Sequence, residues 1–433
     1  MKGKIRPTAP GICEYIKNYE NKKKKLSTNN LFNPYIHILF FISIALLANI
    51  PNGLNWNHGK ELYVPETLYL HFLYVVFFLL GYVFFQKKKI AIDKSIQHDK
   101  SKVHVRYIVV YTFCLILFLF KFFKTGDMPI VSDDSFLRQR ANALGGYVDY
   151  PTKLLNFLAI YGFYLYKKTK IKKYLLFVVI GITINILFAN RGFTVLILIG
   201  IFMVYFHKRK NTFATVLYTS IVVVFIFLTI ALVQIARHGI ENIYSGSFLN
   251  PVQIALWIVH GDLVGPTQRG AYLIQNYIHA GDLNGNYTLG SFLSIVIPNY
   301  TSHGAVMINE QFIGAKSAQS IAIPYSLFVD FGWMYLVIAT LTGAVSSVIY
   351  KFSLQDNSSF FLILYIALYY NLLWSIRSGI LVIDPILIYC GCGLLFVIGY
   401  RSKHRLVKYF VDILRILYVF SMAISIVALI IRF

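Results

Sequence analysis

The sequence predicts an all-α fold, a polytopic integral membrane bundle of about eleven transmembrane helices with one large extramembrane loop. Three observations lead there. Of the 433 residues, 57% are hydrophobic and only 14% charged, and the mean hydropathy is +0.61, which leaves too little polar surface to cover a globule. Apolar runs of roughly the 20 residues needed to cross a bilayer recur along the chain. Between alternate runs lie short clusters of lysine and arginine, the pattern of cytoplasmic loops.

The runs, in order, are 32–50, 67–85, 107–123, 151–166, 174–190, 192–206, 214–236, 321–350, 359–376, 378–400 and 409–431. The first follows a polar tail, 1–31, too long for the n-region of a cleaved signal peptide, so it is expected to remain as a signal anchor. The basic clusters are NKKKK (21–25), QKKKI (86–90), KKTKIKK (167–173), HKRK (207–210), Lys351 and RSKHRLVK (401–408), and with the tail they hold most of the 41 Lys and Arg. Every cluster agrees with one threading. In it the tail 1–31 is cytoplasmic, and residues 32–236 form seven helices with an outer loop at 124–151. A large outer cap follows at 237–320, and 321–433 form four more helices.

The net charge of +23 does not point to nucleic acid, because the basic residues form no patch interleaved with aromatics. Of the cysteines, Cys13, Cys114, Cys390 and Cys392, the last three lie inside apolar runs. They outline neither a disulfide framework nor a zinc site. No Walker loop, dinucleotide fingerprint, HExxH or GxSxG occurs, and acidic residues do not cluster at metal-ligand spacing. The expected site uses no metal and no cofactor. Asp330 and Asp384 are carboxylates within spans, and Asp330, in VDFGW, is either functional or a polar helix-packing contact.

The stretch NILFANRGFTVLILIG (185–200) places Arg191 in an apolar setting. The run 174–206 is too long for one span, so it predicts a helical hairpin with Asn190-Arg191-Gly192 at its outer tip. Arg191 then avoids the cost of about 3 kcal/mol for an arginine at mid-bilayer. It is either a snorkelling anchor or part of an anion site. In the outer loop 124–151, Gly126 and Pro129 are turn residues, Ser132 or Asp133 an N-cap, and Gly145-Gly146 the stop of a short surface helix. The cap 237–320 is far longer than an ordinary connection. It carries two apolar stripes, 250–262 and 265–282, each opened by proline and closed by Gly-Asp. Most cations of the outer side are arginines, whereas the cytoplasmic clusters are mostly lysine. A guanidinium suits bidentate grip of phosphate in a partly dry site.

Several features together resemble the bacterial O-antigen polymerases, also called oligosaccharide repeat-unit polymerases. These are GDMP followed by RQR, an Arg-Gly after a middle span, a late large outer loop, a G…IP segment, and DFGW opening the next span. The residues carrying the resemblance are Gly126, Pro129, Arg138, Arg140, Arg191, Gly192, Gly290, Pro298, Asp330, Phe331 and Gly332. It implies a bacterial inner-membrane enzyme that moves a growing glycan from undecaprenyl pyrophosphate to the non-reducing end of another lipid-linked repeat unit at the periplasmic face. The partners implied are the lipid-linked oligosaccharide, membrane lipid and a chain-length regulator protein.

Such chemistry needs cations for the departing pyrophosphate and a base for the acceptor hydroxyl. The arginines expected to serve are Arg191, Arg237 and Arg269, with Arg138, Arg140 and Arg377 behind them. The base is expected among His303, Glu310 and His238. Tyr272, Tyr277, Tyr287, Tyr300 and Trp257 are candidate sugar platforms. The alternatives are a ligase acting on the same carrier, a non-enzymatic transporter of lipid-linked oligosaccharide, and a membrane acyltransferase.

Overall fold

The structure, a computed structural model, describes residues 32–48, 68–87, 97–98, 100–126, 146–188, 190–206, 261, 263–289, 321–354, 359–378, 385–401 and 405–432, with four isolated positions between 217 and 232. Its helices are α1 (Pro34–Ala48), α2 (Leu68–Lys87), α3 (Lys100–Thr125), α4 (Gly146–Thr169), α5 (Lys173–Leu187), α6 (Arg191–Phe206), α7 (Gly265–Asn276), α8 (Ile323–Phe331), α9 (Tyr335–Ser353), α10 (Ser359–Ser378), α11 (Pro385–Ile398) and α12 (Arg405–Arg432). A two-residue antiparallel pairing of β1 (Gln97–His98) with β2 (Tyr400–Arg401) is the only strand contact among the described residues. The protein is thus a helical bundle.

Five stretches are long and apolar enough to cross a membrane: Leu68–Lys87, Lys102–Thr125, Ile323–Ser353, Ser359–Ile376 and Lys408–Ile431. Shorter apolar helices cover Pro34–Ala48, Lys173–Leu187, Gly192–Phe206 and Ile388–Ile398. The outward side chains of α12 are themselves greasy, with Ile416 at 68% and Ile431 at 77% exposure. An apolar exterior of this kind requires lipid rather than water as solvent.

Among the described residues, lysines of three of the basic clusters lie at one end of the bundle. Lys167 Nζ donates to the Val204 carbonyl at 2.8 Å, and Lys173 Nζ lies 2.9 Å from His104 Nε2. Lys351 Nζ donates to the Phe85 carbonyl at 2.5 Å. The strand pairing brings the segments around residues 97 and 401 together at the same end. The opposite, far end carries the tip between α5 and α6 together with α7 and α8.

Inside the bundle, several buried tyrosines donate to carbonyls of neighbouring segments. Tyr107 donates to Leu158 O at 3.1 Å and Tyr111 to Phe177 O at 2.7 Å. Tyr365 donates to Phe32 O. A hydroxyl without such a partner is costly in a dry interior. The tightest helix pair is α2 with α9. A Cβ placed on Gly81 would lie 2.0 Å from Thr340 O, and one on Gly343 2.0 Å from Phe78 O. The two backbones touch only because both positions lack a side chain.

Two boundaries differ from expectation. The helix expected over 151–166 begins at Gly146, and the short helix expected in the outer loop before it lies outside the described residues. Pro151 therefore sits inside the helix and cannot donate to Tyr147 O. The Ser425 hydroxyl of α12 donates to that carbonyl instead, at 2.8 Å. The run 321–350 is broken into α8 and α9 by a 3-10 turn, Gly332–Met334. Gly332 has φ +54°, a backbone conformation that only glycine adopts readily. The expected run 214–236 lies almost wholly outside the described residues.

Replacing Gly81 or Gly343 by valine forces α2 and α9 apart. Overpacking of this kind costs about 1–3 kcal/mol, and each variant is expected to lower the thermal midpoint of the detergent-purified protein. An unchanged midpoint in both variants contradicts the close contact.

Candidate functional site

The far end is built outward from α8. Helix α7 opens at Gly265-Pro266, where proline suits the first turn because its missing N–H has no intrahelical partner there. Its C-terminus closes with the Tyr277 and Ile278 amides donating to Leu273 O at 2.9 and 3.0 Å. The chain then turns back along α8, with Gly281 N–H donating to Phe328 O and Leu283 N–H to Val329 O, both at 3.0 Å. Beyond that turn, the Asp330 carboxylate accepts the Tyr287 amide at 3.0 Å and the Thr288 amide at 2.6 Å. It also accepts the Thr288 hydroxyl. Asp330 is 2% exposed. Of the two readings open to it, the structure supports the packing contact: its acceptor sites hold a loop.

The same segment is stitched to its surroundings at three more points. Ala322 N–H donates to Pro266 O at 3.1 Å, and Gln268 Nε2 to Ala48 O at 3.4 Å. The Tyr325 ring lies against α7 at Gly270, where a Cβ would come within 2.6 Å. Tyr325 Oη is in turn 3.1 Å from His71 Nδ1 on α2. Helix α7 therefore has a fixed position over α1, α8 and α10.

Arg269 rides on this helix. Its side chain is half-buried and folds over the first turn, where a Cβ on Gly265 would stand 3.0 Å from Nη1. Burial pushes the Tyr287 phenol up to about 12, and the nearby Arg269 guanidinium offsets part of that rise. Tyr287 is no sugar platform: its ring is buried and its hydroxyl accepts the Ile321 amide at 3.0 Å. Tyr272 and Tyr277 form an edge-to-face pair with centroids 5.7 Å apart, and Tyr277 is 47% exposed. They retain the open aromatic surface a sugar needs.

Arg191 is the first residue of α6 rather than the middle of a tip, and Gly192 is already helical. Tyr370 Oη of α10 donates to Gly192 O at 2.8 Å, and the Trp374 ring lies against the same glycine, 3.3 Å from where a Cβ would be. Arg377 follows Trp374 in the last turn of α10. Helix α10 packs against both α6 and α7. Thus the helices bearing Arg191, Arg269 and Arg377 meet at the far end of α10. Arg138, Arg140, Arg237, His238, His303 and Glu310 lie outside the described residues, as do Trp257, Tyr300 and Asp384.

The sequence reading missed a charge cluster at this end. Asp149 on α4 bridges two ammonium groups, Lys121 Nζ of α3 at 2.9 Å through Oδ1 and Lys153 Nζ at 2.6 Å through Oδ2. The signals were present as a lysine inside an apolar run and an acid four residues before a lysine, but their meeting depends on how α3 packs on α4.

Asp330→Ala leaves two buried amides and a hydroxyl without an acceptor, a loss of about 1–3 kcal/mol for each buried group left unpaired. It is expected to speed amide hydrogen exchange at Tyr287 and Thr288 well before global unfolding. Unaltered protection at those two amides contradicts the carboxylate's role.

Comparison with known proteins adds one positive finding. Residues 30–389 match the model of a family described as "Putative O-antigen polymerase". No curated protein and no solved structure matches the chain. The match runs from the start of α1 into α11 and takes in α6, α7, α8 and α10, the helices that meet at the far end, and on that extent the chain belongs to the O-antigen polymerase family.

Proposed function

We propose that this protein polymerises surface glycans. It transfers a growing chain from undecaprenyl pyrophosphate to the non-reducing-end hydroxyl of a second lipid-linked repeat unit. The reading rests above all on one observation, the meeting of the helices of Arg191, Arg269 and Arg377 at the end of the bundle opposite the basic clusters. Under the positive-inside rule the basic end faces the cytoplasm. The arginine end then faces the periplasm of a bacterial inner membrane, with the N-terminus inside and about eleven spans in all.

In the transfer, the acceptor hydroxyl gives its proton to a base and its oxygen forms a bond to the anomeric carbon. The bond from that carbon to the pyrophosphate oxygen breaks, and undecaprenyl pyrophosphate leaves with the bonding pair. The protein supplies fixed positive charge where negative charge grows on the leaving group. Arg191, Arg269 and Arg377 are the proposed clamp, joined by Arg237, Arg138 and Arg140 from the outer loops. His303, Glu310 or His238 is the proposed base. The lipid-linked oligosaccharide is the substrate, and a separate chain-length regulator is a proposed partner.

Deleting the gene is expected to leave single-repeat glycans on lipopolysaccharide gels, whereas unlinked polymer identifies a ligase and loss of all surface glycan a transporter. Arg191→Ala and Arg269→Ala are each expected to reduce long-chain product about 100- to 1000-fold at normal membrane abundance. A normal ladder rejects the clamp. An epitope inserted within 237–320 is expected to be labelled from the periplasm in cells with an intact inner membrane; labelling only after permeabilisation reverses the threading.

A further inference from the structure

Three successive residues at the start of α2 are met by the segment around the Gly332 turn. The Tyr69 ring stacks on Trp333 with centroids 6.5 Å apart, the Leu70 carbonyl accepts from Tyr335 Oη at 3.3 Å, and His71 Nδ1 lies 3.1 Å from Tyr325 Oη. The three contacts ask different things of the sequence. Tyr69 and Trp333 are exposed, and a main-chain carbonyl is present whatever side chain stands at position 70. The third contact needs a particular polar side chain on α2 in a buried place, because His71 and Tyr325 are both closed off from solvent.

An imidazole is an unfavourable way to fill that place by packing alone. The Phe41 ring of α1 covers it at a centroid distance of 4.6 Å and an interplanar angle of 31°, and His71 Nε2 has no hydrogen-bond partner among the described residues. A buried nitrogen left in that state is destabilising, and an apolar side chain of similar size would leave no such group. What the imidazole adds is the bond at Nδ1. Tyr325 converts that bond into a position for α7: its hydroxyl is held on α2 while its ring lies against Gly270, where a Cβ would come within 2.6 Å. Gly270 directly follows Arg269. A shift of the phenol ring therefore moves the helix that carries the guanidinium.

We propose that His71 is a positioning residue, which sets the place of Arg269 at the far end through Tyr325 and α7. This rests on the polymerase reading, in which Arg269 meets the departing pyrophosphate. Stabilising a growing charge depends on where the cation stands, and a misplacement of about 1 Å lowers a rate on the order of 100-fold. Asp330 holds the loop that follows α7, at Tyr287 and Thr288. His71 adds a hold on the helix itself.

The test compares His71→Leu, Tyr325→Phe, their double variant and His71→Asn in the full-length protein. Amide hydrogen exchange of the detergent-purified protein reads the hold on α7 without reference to activity. Long-chain glycan on lipopolysaccharide gels, normalised to membrane abundance, reads function. His71→Leu and Tyr325→Phe are each expected to speed exchange across 268–276 about tenfold, with exchange in α9 and the thermal midpoint unchanged. Each is expected to lower long-chain product about 10- to 100-fold. The double variant is expected to match either single one, as for two partners of one bond. His71→Asn, whose side-chain amide reaches the place of Nδ1, is expected to restore both readouts. A merely structural histidine would instead lower the thermal midpoint and leave product per folded molecule intact. That result overturns the proposal, as do additive losses in the double variant or unaltered exchange in α7. Faster exchange in α7 with a normal ladder in both His71→Leu and Arg269→Ala would sink the polymerase reading and leave His71 as the anchor of α7; unaltered exchange with the ladder lost in Arg269→Ala would do the reverse.

Discussion

The Asp330 carboxylate joins the far-end segment to the membrane bundle. It lies at the end of α8, next to the Gly332 turn that redirects the chain into α9, and both its oxygens accept hydrogen bonds from Tyr287 and Thr288. Buried carboxylates persist where backbone donors replace their lost hydration. Because α7 is tied to the same region through Ala322 and Tyr325, the position of Arg269 is referred back to this one acceptor. Helix α9 in turn meets α2 backbone to backbone at Gly81 and Gly343. The site is thereby held to the bundle without a long lever between them.

The low dielectric of the bundle dictates much of its chemistry. Tyrosine is abundant, with 32 in the chain, and several of the buried hydroxyls donate to helix carbonyls or to Asn33, while Tyr325 is hydrogen-bonded with His71. Pro151 shows the same rule from the opposite side: the carbonyl it orphans is taken by Ser425 of another helix. Such bonds orient helices that have no hydrophobic drive toward one another in lipid. They also explain why α4, in contact with α3, α5, α6, α11 and α12, can be central while being less apolar than its neighbours.

Among the described residues, the basic end is held by lysines, and arginines occur on the helices that reach the other end. At the basic end, lysines bond to the carbonyls of helix ends or face water, as Lys167 and Lys351 do. At the far end, arginine-bearing helices converge on α10 and one buried lysine is drawn into a bridge. A guanidinium remains effective when partly dehydrated and presents parallel donors, whereas an ammonium is strongly hydrated. Arginine therefore suits drier surroundings than lysine does.

Periodicity and composition alone made the helical membrane class legible, because a bilayer accepts only segments that satisfy their own backbone, and apolar length is a local property. The α5–α6 hairpin and the proline-opened α7 were legible for similar reasons: turn and cap chemistry acts over a few residues. What tertiary structure alone decided were relations between distant segments. These include the choice of Asp330 as an anchor over a reacting group, the burial of Tyr287, the Ser425 bond that lets Pro151 sit inside α4, and the meeting of Lys121 with Asp149. Each depends on which helices become neighbours, and that is settled by close packing and pairwise polar matching across the bundle, which no single stretch of the chain encodes.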